Sequence, residues 1–176
     1  MNQLNQLLIA ELKREAESTK KLLACVQTVK LEWRPHEKSM TLGRLASHIA
    51  EIPHWVNRPL ESDEFDAAAQ VLKPANCAST QELLELFEAK FNAAVAALEN
   101  TTNEQLEQQW VFRRGEVIIN QLSRYNAIRF MMGNHQVHHR GQLSVYLRLL
   151  DVAIPGMYGP SADDTARMQA AAANKN

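Results

Sequence analysis

Three of the six histidines lie in one run, Asn134-His135-Gln136-Val137-His138-His139-Arg140-Gly141-Gln142-Leu143. Residues four apart on an α-helix project from one face, so His135 and His139 can close on a single ion, and neutral imidazole is the commonest metal ligand. A catalytic zinc-type site wants three protein ligands and one open position, so a second helix must supply the third. His48 is the best-placed candidate. It sits at the edge of an apolar stripe formed by Leu42, Leu45, Ile49 and Ile52, directed inward but not submerged. A divalent ion would suit such a set, with zinc or nickel favoured by all-imidazole ligation. Spacing alone leaves two matters open: His135 and His138 also form a geometrically possible i, i+3 pair, and paired imidazoles can be satisfied by neighbours without any metal.

Other chemistries find less support. The general-base Glu of a His-Glu-x-x-His zinc-protease helix is missing. Cys25 and Cys77 are the only thiols and form no Cys-x-x-Cys, which argues against a thiolate site or a disulfide framework and for reduced thiols in a cytosol. A Ser-His-Asp set could be assembled from parts of nearly any chain of this length, so it carries no weight, and no catalytic residue can be named. The formal net charge of -1 and the lack of a basic tail disfavour nucleic acid as a partner. No apolar run could span a bilayer and the N-terminus lacks the apolar core of a signal peptide, so no membrane role and a cytoplasmic location are expected. Arg140 and Gln142 flank the histidines but point to different faces, so at most one can address the site. Tyr146 reads as a core residue with its hydroxyl satisfied.

The elements that must position these residues follow from periodicity. Apolar residues from Leu4 to about Val29 recur at three- and four-residue steps and predict a long first helix, with a weak stripe from Glu15 to Thr19 where it would pass an open or polar part of the interior. Pro35 breaks the pattern, Ser39 or Thr41 can cap a second helix, and Pro53 ends or kinks it. Residues 57–78 show no sustained period and read as a long irregular connection, whether a cover for the site or a plain crossover. Ser79-Thr80-Gln81-Glu82 is a capping-box pattern that opens a third helix. Two β-prone triplets, Trp110-Val111-Phe112 and Val117-Ile118-Ile119, flank Gly115 and suggest a short hairpin. A fourth helix should run from near Ser123 to about Leu150, with Gly133 and Gly141 allowing something to come close to it. The expected architecture is all-α: one four-helix-bundle domain over residues 1–165, with a frayed tail over 166–176.

The run from His135 to Arg148, the stretch Leu42–Ala50, and the closing Ile154-Pro155-Gly156-Met157-Tyr158-Gly159-Pro160-Ser161-Ala162-Asp163 resemble the DinB/YfiT-like family of bacterial damage-inducible proteins. The resemblance covers most of the chain. It implies an up-and-down four-helix bundle, often a homodimer, whose divalent ion is held by one His of the second helix and a His-x-x-x-His pair of the fourth. Those positions are His48, His135 and His139 here, which makes His138 a neighbour. Related families include transferases and isomerases that use low-molecular-weight thiols. The implied function is a metal-dependent hydrolase or thiol transferase acting on a small-molecule substrate. The alternative is a non-catalytic metal-binding module for stress response or partner interaction.

Overall fold

A computed structural model describes residues 3–70 and 73–174. Four long helical segments form an up-and-down bundle: Leu4–Leu23 (α1), Leu42–Glu51 (α2), Thr80–Glu99 (α4) and a last rod made of Arg124–Ile128 (α6) and His135–Leu149 (α7) joined by a π-helical stretch, Arg129–Asn134. α1 and α2 each pack against both α4 and α7, so the two histidine-bearing helices are direct neighbours. The stripe of α2 explains its position: Leu42, Leu45, Ala46, Ile49 and Ala50 are wholly buried, and each such Leu or Ile contributes about 1.5–3 kcal/mol on leaving water. Facing them are Leu22 and Leu23 of α1, Leu83 and Phe87 of α4, and Leu143 and Leu147 of α7.

The helix starts follow the capping chemistry. Thr41 accepts from the Arg44 amide and opens α2, whereas Ser79 accepts from the Glu82 amide and opens α4. The Glu82 carboxylate reaches back one residue further than a capping box requires, to the Ala78 amide. α1 ends at Leu23 rather than near Val29, and Val29 is 89 % exposed in a short 3-10 turn. The weak middle of its stripe has a definite use. Glu15 and Thr19 face Arg140 of α7, only 1 % exposed, which donates to the Glu15 carboxylate at 2.5 Å, the Glu15 carbonyl at 3.0 Å and Thr19 Oγ1 at 3.2 Å. A guanidinium this deep needs such partners, and the polar turn of α1 supplies them.

The connection between α2 and α4 is more ordered than its composition implies. It holds a short helix, Asn57–Glu61 (α3), and a strand, Glu64–Asp66 (β1), that pairs in parallel with Gln109–Arg114 (β2). β2 and Val117–Ser123 (β3) form the expected antiparallel hairpin, turning at Gly115, whose φ of +58° suits a residue without a side chain. A further helix, Asn103–Glu107 (α5), starts in a true capping box between Thr102 and Gln105 that the periodicity did not reveal. Gly133 and Gly141 do not serve close approach, since a Cβ at either would meet nothing within 4 Å; Gly43 does, because its Cβ would lie 3.1 Å from the Leu31 Cβ. A helix, Ala162–Ala173 (α8), forms under a Ser161–Asp164 capping box and runs into the tail expected to fray over 166–176. It buries no residue, and it is tied back through Asp163 to Arg148 and through Asp164 to the Gly156 amide.

Candidate metal centre

α2 and α7 bring His48, His135 and His139 together, and one ligand atom from each lies within 4.8 Å of the others. His135 Nε2 is 2.9 Å from His48 Nε2 and 3.1 Å from His139 Nε2. The three rings stand nearly perpendicular in pairs, at 87°, 79° and 80°. His138 is elsewhere: it is exposed, with its ring edge-on to His139 at 4.8 Å, so the i, i+3 alternative is not the one assembled.

The outer nitrogens decide the tautomers. His48 Nδ1 lies 2.9 Å from Glu51 Oε1, and His139 Nδ1 lies 2.7 Å from Gln142 Oε1. Both oxygens only accept, so each Nδ1 carries the proton, and in the neutral rings that bind a metal each Nε2 presents a bare lone pair to the common centre. A proton on His135 Nε2 could serve one of those lone pairs and would leave the other facing a nitrogen without a donor. A shared cation satisfies all three at once. A tetrahedral ion with bonds of about 2.0–2.1 Å spaces its ligand nitrogens by about 3.4 Å, so the two separations from His135 need to open by about half an ångström or less. The donor set therefore fits a divalent ion.

Burial first, then the neighbouring imidazoles, pushes His135 down to about 4 from its ordinary 6.5, and burial likewise lowers His139. Both are neutral near pH 7, the form a metal takes. Behind His48 the Glu51 carboxylate also accepts from the Arg44 guanidinium at 3.0 Å and from the Ala75 amide at 2.9 Å. Burial alone would raise its pKa, but these hydrogen bonds, led by that from His48, bring it down to about 2. The arrangement is a carboxylate–histidine pair of the kind that orients a ligand and raises its basicity.

Of the two residues flanking the histidine run, Gln142 addresses the site and Arg140 turns away to α1. The Tyr146 hydroxyl donates to the Met40 carbonyl and its ring meets Trp33 edge-on, a structural role. Sequence reasoning missed Glu51, although a carboxylate three residues after His48 shares its helical face and was a usable signal. It also missed Trp55, whose ring stacks on His135 at 5.0 Å and 27°. Trp55 lies in a 3-10 turn beyond the Pro53 break, where periodicity gives no direction. Beside this ring a cavity of about 460 Å³ opens, lined among others by Trp55, Arg58, Phe65, Phe112, His135 and His138. His135 belongs to both cavity and triad.

No helix among the described residues is long and apolar enough to cross a membrane. Solved structures with the same fold include a DinB-like protein of Bacillus cereus, 26 % identical with a TM-score of 0.67 over 83 % of this chain and 92 % of its own. A DinB-like protein of Bacillus subtilis is 20 % identical, with a TM-score of 0.66 over 86 % of this chain and 97 % of that one. Among curated sequences, the uncharacterized protein YrdA of Bacillus subtilis is 28 % identical over 153 residues, 87 % of each chain. The DinB family model matches residues 1–174, and the chain is a member of the DinB family.

Proposed function

We propose that the chain is a metal-dependent enzyme in which His48, His135 and His139 hold a zinc or nickel ion through their Nε2 atoms. The observation that carries this reading is the sharing of His135 between a convergent, lone-pair-bearing triad and a mostly apolar cavity large enough for a small molecule. When bound, a divalent ion of this kind supplies Lewis acidity that makes a water or a thiol nucleophilic near neutral pH. Glu51 and Gln142 fix the two ligand tautomers, and Trp55 holds the His135 ring and keeps water from its face. The reaction class is hydrolysis, or transfer of a low-molecular-weight thiol to an electrophile, in the cytoplasm. Val137, Val145 and Leu149, spaced by multiples of four on α7 and exposed, support a homodimer, which sedimentation at several concentrations checks.

Elemental analysis of protein purified without a histidine tag tests the metal assignment. Wild type should carry one equivalent, and His48→Ala and His139→Ala should carry none. Retention of a full equivalent by both variants would falsify the assigned triad. A cobalt-substituted form whose spectrum responds to added thiol or to solvent exchange supports the enzyme over the non-catalytic alternative, and a closed, unresponsive shell points to that alternative.

A further inference from the structure

Arg58 occupies an unusual position among the arginines. Arg44, Arg113, Arg124, Arg129, Arg140, Arg148 and Arg167 each pair with a carboxylate, and Arg14, Arg34 and Arg114 lie exposed to solvent. Arg58 is half-buried in the cavity wall, and its guanidinium carbon lies 4.6 Å from the Trp55 ring and 4.4 Å from the Phe65 ring. Nothing among the described residues accepts a hydrogen bond from it, and burial lowers its pKa. Two aromatic rings hold the cation in place through its π-facing carbon and leave its donor fork without an acceptor among the described residues.

We propose, resting on the metal-site reading above, that this cavity binds a substrate with a single carboxylate on an apolar or aromatic body, the carboxylate paired with Arg58 and the reacting end directed past Trp55 toward the histidine triad. The fork of a guanidinium matches a carboxylate with two parallel N–H···O bonds. A monoanion suits the site because Arg58 is the one fixed cation in a wall otherwise made of aromatic, Met and neutral groups; a phosphate dianion would leave a charge uncompensated in apolar surroundings. A cationic ligand would meet Arg58 as a like charge. Phe65 and Phe112, on the paired strands β1 and β2 with ring centroids 6.0 Å apart, provide the surface for the apolar body. The same strands give the connection between α2 and α4 its purpose, since β1 places Phe65 over Arg58.

The test is calorimetric titration with 3-phenylpropionate and its uncharged amide, 3-phenylpropanamide, on zinc-loaded and on chelator-stripped protein. The acid should bind about tenfold more tightly than the amide, or better, as a charge-assisted pair in a desolvated wall does. Arg58→Gln should remove that preference by weakening the acid more than the amide, and Arg58→Lys, which keeps the charge without the fork, should restore part of it. The preference should persist in stripped protein. Its disappearance with the metal would place the carboxylate on the ion and overturn the proposal, as would equal binding of acid and amide, failure of the acid to bind, or an unchanged preference in Arg58→Gln. Failure of the metal reading shows separately, as absence of zinc from the loaded protein.

Discussion

Glu51 touches no ion, yet its removal should be felt at the metal centre. Its carboxylate accepts hydrogen bonds from His48 Nδ1 at 2.9 Å, from the Arg44 guanidinium at 3.0 Å and from the Ala75 amide at 2.9 Å. The drop of its pKa from 4.5 to about 2 corresponds to about 3 kcal/mol in favour of the ionised carboxyl, and to about 2 kcal/mol after screening at its solvent-facing edge is allowed for. The bond to His48 is the largest of the interactions lowering it. Supporting partners of metal-bound histidines are typically worth about 10–100-fold in affinity. Glu51→Gln keeps an acceptor for His48 Nδ1 but loses the charge, so it should weaken zinc binding about tenfold. Glu51→Ala also frees the ring and strands the Ala75 amide, so it should weaken binding about a hundredfold. Competition against a chromophoric chelator at fixed pH and ionic strength measures both, and circular dichroism confirms that each variant folds. If Glu51→Ala binds zinc within threefold of wild type, the carboxylate does not support the ligand.

The remaining predictions concern the same centre and its scaffold. His138→Ala should keep a full equivalent of metal, because that ring lies outside the convergent set; loss of the ion in elemental analysis would reinstate the i, i+3 pair. In metal-free protein the folded His135 titrates at about 4 and the unfolded one at 6.5, so in that window the unfolded chain binds the extra proton. Stability should therefore fall as pH drops through this window and level off below it, and His135→Gln should flatten the slope in urea unfolding; an unaltered slope in the variant contradicts the assignment. Glu15→Ala leaves the Arg140 guanidinium buried without its carboxylate and should cost about 3–5 kcal/mol in denaturant unfolding, far more than an exposed ion pair would. A cost under 1 kcal/mol would show that Arg140 finds other partners.

Much of this molecule could be read from local pattern. The registers of α1, α2, α4 and α7 follow from apolar spacing, the starts of α2, α4 and α6 from Thr41, Ser79 and Ser123, and the convergence of His135 with His139 from helical geometry. His48 was also legible, because its place beside Leu45 and Ile49 on a buried stripe leaves one direction for its ring. Tertiary structure decided the rest. β1 is three residues long and pairs with a strand more than forty positions away, so no local period announces it; it forms because the open edge of β2 offers backbone partners. The buried Arg140 likewise depends on a polar turn 125 residues earlier in the chain. The cavity beside the triad draws Trp55 and Arg58 from behind a proline break and Phe65 and Phe112 from paired strands. Ligand spacing along one helix is a local property that a sequence displays; the walls around those ligands exist only where distant segments meet, since burial and hydrogen-bond satisfaction are properties of the folded whole.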